Sequence, residues 1–113
     1  MKKVVICFDV DGTLIDNTKE TPVANERIRA LLITLSSFKN TRIVVWSGGG
    51  ELYARQVAQA IGITRYVDDY ASKNHVGTVD GEHQFAPEIQ PDIAIDDIQA
   101  CQLGTINLIV KEK

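Results

Sequence analysis

Five consecutive apolar, strand-favouring residues, Val4-Val5-Ile6-Cys7-Phe8, run straight into Asp9-Val10-Asp11-Gly12-Thr13. A run with no polar alternation marks a strand covered on both faces, the pattern of a parallel sheet. Parallel neighbours cannot be joined by a tight turn, so the intervening chain has to supply crossover helices. The abrupt change to two carboxylates and a glycine falls at the carboxyl end of the strand, the edge at which open α/β sheets bind ligands.

The rest of the chain repeats that pattern. Thr21-Pro22 offers an N-cap followed by proline at the first helical position, and Ile28, Leu31, Leu32 and Leu35 recur at helical spacing, which predicts an amphipathic helix to about Phe38. Ile43-Val44-Val45-Trp46 reads as a second buried strand, broken by Gly48-Gly49-Gly50, and Ala54, Val57, Ala58 and Ile61 mark a second helix closed by Gly62. Tyr66-Val67, Ile93-Ala94-Ile95 and Thr105 to Val110 read as further strands. Asp80-Gly81, between Thr78-Val79 and Gln84-Phe85, signals a hairpin in the otherwise irregular stretch 74–90, a candidate flap. Alternating strands and helices predict a three-layer α/β/α sandwich on a parallel sheet of about five strands. The 113 residues suit a single domain, 1–113, able to bury a core without disulfides or a structural metal.

Composition narrows the function classes. A net charge of −3 and a pI near 5.3 exclude a broad basic field for coating nucleic acid or binding a membrane surface, though a nucleic-acid end can still be a substrate. Cys7 and Cys101 stand outside any metal-type spacing and read as buried thiols of a reducing compartment. The apolar run after Lys2-Lys3 is cut by Asp9, too short for a secretory core, and no stretch reaches membrane-spanning length, so a cytoplasmic protein is expected.

The residues that follow each strand carry the chemistry. Asp9 and Asp11 follow the first strand, Ser47 and Gly48 the second, Lys73 the third, and Asp96-Asp97 the fourth. Carboxylates converging on one edge repel one another unless a cation joins them, and oxygen-only ligands favour a hard ion, which makes Mg²⁺ the expected cofactor. A lysine, a hydroxyl and glycine-rich backbone amides are what a phosphoryl group needs. Asp68-Asp69 read as a polar loop, Asp16 and Asp92 as solvated turn residues, and Trp46 as core. His75 and His83 read as exposed loop residues too far apart in sequence for a recognisable metal pair, with His75 able to touch substrate.

Ile6-Cys7-Phe8-Asp9-Val10-Asp11-Gly12-Thr13-Leu14 resembles the first signature of the haloacid dehalogenase superfamily of phosphotransferases, and Ser47, Lys73 and Asp96-Asp97 resemble its second, third and fourth motifs in the family's order. The resemblance implies a Rossmann-like fold and a Mg²⁺-dependent phosphomonoester hydrolase. Asp9 would be the nucleophile that forms an aspartyl-phosphate, and Asp11 the acid and then the base. Ser47, the Gly48 amide and Lys73 would bind the phosphoryl group. The ion would be held by Asp9, the main-chain carbonyl of Asp11, Asp96 and, directly or from the outer shell, Asp97. Only 38 residues separate Asp9 from Ser47 and 26 separate Ser47 from Lys73, which leaves no room for a cap domain. Capless members act on exposed phosphates of macromolecules or use an oligomeric neighbour as a lid, so the expected partners are a phosphorylated small molecule or macromolecule, with a homo-oligomer as an option and no membrane. A phosphate-accepting signalling module is the non-enzymatic alternative. Receivers, however, carry their acidic pair after strand one and the phosphorylated aspartate after strand three, an order this chain does not follow. A catalytically silent relative acting as a binding domain is a third reading.

Overall fold

A computed structural model describes residues 2–16, 20–97 and 103–111. Its centre is a five-stranded sheet built from β1 (Val4–Asp9), β2 (Thr41–Ser47), β3 (Asp69–Ser72), β6 (Ile93–Asp96) and β7 (Ile106–Ile109). The strands lie in the order β3-β2-β1-β6-β7, all parallel. Two helices, α1 (Glu26–Ser36) and α2 (Glu51–Ala60), cross from β1 to β2 and from β2 to β3. A separate antiparallel hairpin, β4 (His75–Val79) and β5 (Glu82–Phe85), follows β3. Among the described residues no helix is long and apolar enough to cross a membrane.

Alternation along the strands divides the core between the two faces. Ile6, Phe8, Ile43, Val45 and Ile95 pack with Leu32 of α1 and with Ala54, Val57 and Ala58 of α2 in one apolar cluster. Cys7, Val44, Trp46 and Ala71 face the other way, where Ile89 and Leu103 pack on them. Right-handed crossovers that step twice in the same direction put both connecting helices on the same face. The chain then returns past β1 to lay down β6 and β7, so the strand order reverses between β1 and β6. A crevice outside the carboxyl ends of the strands at such a reversal is the ligand position of open α/β sheets.

Several local expectations are corrected. Helix α1 is capped by Asn25, whose Oδ1 accepts from the Ile28 amide at 3.5 Å, not by Thr21. The stretch around Pro22 stays outside the helix because its backbone pairs with the loop that follows β1: Asp16 N–H bonds Val23 O at 2.9 Å and Asn25 N–H bonds Leu14 O at 2.8 Å. The helix stops at Ser36 rather than near Phe38, and the Thr41 hydroxyl, shared between the Leu35 and Phe38 carbonyls at 2.7 and 2.8 Å, closes the turn that follows. Tyr66-Val67 is not a strand; Thr64–Tyr66 forms a single 3₁₀ turn and β3 begins at Asp69. Asp69 is therefore not part of a polar loop, whereas Asp68 stays in an exposed bend before the strand. The Asp68 carboxylate accepts from the Ile43 amide at 2.8 Å, and Asp69 opens the edge strand, paired with Arg42. Asp92 is likewise no solvated turn residue: its Oδ2 accepts from the Val5 amide at 2.8 Å while its own N–H bonds Val5 O at 2.9 Å. The hairpin forms at Asp80-Gly81, both at positive φ, 50° and 78°. Cys7 is buried, and burial pushes its thiol up to about 12; Cys101 lies outside the described residues.

Removing the Asp92 acceptor strands a backbone amide at the entry to the central strand. Asp92→Ala should cost about 1–3 kcal/mol in urea unfolding, while Asp92→Asn, which keeps an acceptor oxygen, should recover most of it. Equal losses for both variants would show that the side chain acts through its charge instead.

Candidate active site at the β1/β6 crevice

Parallel register aligns the carboxyl ends of four strands. Asp9 ends β1 and pairs with Trp46, Ser47 ends β2 and pairs with Ser72, and Lys73 comes immediately after β3. Asp96 ends β6, one residue beyond the Phe8–Ile95 pair, and Asp97 follows it. The sheet thus delivers charged groups to one rim without any of them sitting inside an apolar strand.

Four of these side chains meet. Lys73 is buried, 3% exposed, with Nζ 2.6 Å from Asp9 Oδ1 and 2.6 Å from Asp96 Oδ2. The Thr13 hydroxyl, fully buried, donates to Asp9 Oδ2 at 3.1 Å, so both oxygens of Asp9 have donors. Asp9, Asp96 and Asp97 each bring one carboxylate oxygen within 4.8 Å of the others. Three carboxylates share one ammonium, and the electrostatics follow from that deficit. Burial pushes Asp9 up to about 7, helped by Asp96 and opposed by Lys73. Burial and Asp96 also raise Asp97, and the two carboxylates hold Lys73 above the usual ammonium range despite its own burial. Asp97 Oδ1 is buried with no hydrogen-bond donor of its own. Close all-oxygen donors, excess negative charge and an orphaned carboxylate oxygen are together the chemistry that suits a hard divalent cation.

The turn after β1 is shaped for this approach. Gly12 has φ +78°, and a Cβ there would lie 2.6 Å from Asp97 Cγ, so any side chain at this position would drive the Asp97 carboxylate out of the group. Asp11 is exposed and its side chain stands outside the carboxylate triad; it accepts a hydrogen bond at 2.7 Å from the Tyr53 hydroxyl of α2. Burial and the neighbouring Asp11 push Tyr53 up to about 12, which keeps that hydroxyl protonated as a donor.

Beside the carboxylates, Ser47 is buried and its Oγ accepts from the Gly49 amide at 2.9 Å, while its carbonyl accepts from Lys73 N–H at 3.0 Å. Gly48 and Gly49 are exposed and lead into α2 at Gly50, a helix start without a side-chain cap. The N-terminus of a helix favours an anion near it. The hairpin supplies a wall. Phe85 Cε1 would lie 3.6 Å from a Cβ on Gly48, and the Phe85 ring centroid is 5.7 Å from Lys73 Nζ. His75 and His83 are exposed, as expected, but antiparallel pairing brings them together, with Nε2 and Nδ1 2.9 Å apart. Sequence distance had concealed that pair. Thr13, Tyr53 and Phe85 are site residues that motif reading did not assign; only Thr13, inside the D-x-D-G-T run, carried a sequence signal.

No family model matches this chain, and no curated protein matches it.

Asp9 also fixes a pH dependence. An acid raised in the folded state contributes nothing below the unfolded value near 3.8; between there and about 7 the unfolded chain ionises while the folded one keeps its proton, so stability falls as pH rises through that window. With a chelator present, wild-type stability should decline from pH 4 to 7 relative to Asp9→Asn, which has nothing to titrate there. Parallel profiles in urea titrations at each pH would refute the assignment.

Proposed function

We propose that the chain is a Mg²⁺-dependent phosphomonoester hydrolase of the haloacid dehalogenase type, working through an aspartyl-phosphate on Asp9. The observation that carries the reading is the group of buried Asp9, Asp96 and Lys73 with half-buried Asp97 at the β1/β6 crevice, beside the Ser47 hydroxyl and the exposed Gly48. Carboxylates alone would favour only a cation. Adjacent hydrogen-bond donors for an anion make the site bipolar, as phosphoryl transfer requires.

Asp9, Asp96 and Asp97 would hold the ion, with the Asp11 carbonyl as a further ligand. When bound, it would offset their charge and that of the phosphate, so that one anion can approach another. Lys73 and Thr13 fix the Asp9 carboxylate from both oxygens, leaving its lone pairs aimed by contacts within the fold. Asp9 attacks phosphorus, the bond from phosphorus to the ester oxygen breaks, and Asp11 gives its proton to the departing oxygen. Asp11, now ionised, takes a proton from water, whose oxygen attacks the same phosphorus and releases inorganic phosphate with the Asp9 carboxylate restored. Ser47, the Gly48 amide and Lys73 receive the phosphoryl oxygens throughout. Phe85 of the hairpin stands against Gly48, and among the described residues no cap domain covers the rim, which suits a phosphate presented on a small molecule or on an exposed part of a macromolecule. The buried thiol of Cys7 fits work in a reducing cytoplasm.

Incubation with a panel of phosphate monoesters tests this. Turnover should need Mg²⁺ and cease with a chelator, and Asp9→Asn should lower kcat roughly 10³-fold or more. Hydrolysis that is indifferent to the metal, or unimpaired in Asp9→Asn, would defeat the reading.

A further inference from the structure

The loop after β1 and the loop after β2 carry different parts of the proposed chemistry, and one side chain stands between them. Tyr53 lies in the first turn of α2, half-buried, its ring packed at the margin of the main core. The ring also lies close over Gly49: a Cβ there would be 3.3 Å from Tyr53 Cδ2 and 3.4 Å from Ser47 Oγ. At its far end the hydroxyl donates to Asp11 Oδ1 at 2.7 Å. Asp11 is otherwise an exposed carboxylate on a turn, without the lysine and threonine contacts that fix Asp9.

Resting on the hydrolase reading above, we propose that Tyr53 is a positioning residue that sets the Asp11 carboxylate for its proton transfers and couples it to the Ser47-Gly48-Gly49 phosphate loop. A tyrosine suits that task. Its ring has two rotatable bonds, both restrained here by packing, so the hydroxyl is delivered to one place at little entropic cost. It donates to a single Asp11 oxygen and leaves the other for the departing ester oxygen or the incoming water. Proton transfer is sensitive to placement on the scale of an ångström, so an exposed carboxylate free to rotate would lose much of its effect. Gly49 serves the same arrangement by letting the ring approach the phosphate loop.

The test is Tyr53→Phe, which removes one oxygen and keeps the ring. With Mg²⁺ present, kcat should fall about 10- to 100-fold on an alkyl phosphate with KM little changed. The loss should be several-fold smaller on a nitrophenyl phosphate, whose leaving oxygen needs less help from an acid. In an Asp11→Asn background, Tyr53→Phe should cause no further loss, because the hydroxyl then has no general acid to position. Thermal unfolding of each variant reports on the fold. Full alkyl-phosphatase activity in Tyr53→Phe, equal losses on both esters, a raised KM with kcat intact, or losses that add to those of Asp11→Asn would overturn the proposal. If the wild-type chain hydrolyses neither ester with Mg²⁺, the hydrolase reading fails and this inference with it; an active wild type with an indifferent Tyr53→Phe removes the inference alone.

Discussion

Two buried carboxylates, Asp9 and Asp96, end neighbouring strands, and one buried ammonium, Lys73 Nζ, stands 2.6 Å from each. Isolated, any of the three would be too costly to take out of water, and removing one partner from such a group costs several kcal/mol because a charge is left uncompensated. The lysine arrives from the end of a third strand, so this contact ties β1, β6 and the end of β3 together at the rim. It also leaves the group short of positive charge, since Asp97 adds a third carboxylate within 4.8 Å. A buried assembly of this composition is poor stabilising material, and apolar residues of similar volume would serve the fold as well or better.

Topology supplies the place. Two successive crossovers in one direction followed by a return past β1 make a crevice between β1 and β6, and parallel register brings Asp9, Ser47, Lys73 and Asp96 to the same end of the sheet. The two helices need only cover one face over Ile6, Phe8, Ile43 and Val45 to hold that sheet in shape. The charged groups of the candidate site then come from strand ends and turns, while Ile6 to Phe8 stay buried within the sheet. Tyr53 and Phe85 reach the rim from α2 and from the hairpin, connecting elements otherwise remote from the carboxylates.

How much of this was legible in the chain depended on whether a signal was local. The continuous run Val4 to Phe8, the D-x-D-G-T turn and the Asp80-Gly81 hairpin each follow from residues adjacent in sequence, and the parallel sheet followed from them. β3 was missed because Asp69 and Ser72 give an edge strand a polar composition, and only its pairing with β2 makes it a strand. Asp92 looked like a solvent-facing turn for a related reason: it satisfies an amide 87 residues away, which no local pattern encodes. Thr21-Pro22 reads as a helix start, yet backbone pairing with the loop after β1 outcompetes that cap. Lys73 was singled out only by its position after the third strand and the motif order; its burial between two carboxylates is visible in the fold alone. The His75–His83 contact belongs to the register of the hairpin rather than to either residue's neighbours.

The central claim is that this crevice holds a divalent ion against a phosphoryl group carried by Asp9. A crystal structure of the chain grown with Mn²⁺ and a fluoride mimic of the phosphoryl group tests it most directly, because Mn²⁺ can be located by its anomalous scattering. The account predicts one metal peak ligated by Asp9 and Asp96, with the mimic on the Asp9 carboxylate and in contact with Ser47, Lys73 and the Gly48 amide. A metal bound elsewhere, or a crevice in which Lys73 still bridges Asp9 and Asp96 with neither ion nor mimic present at millimolar concentrations, would contradict it.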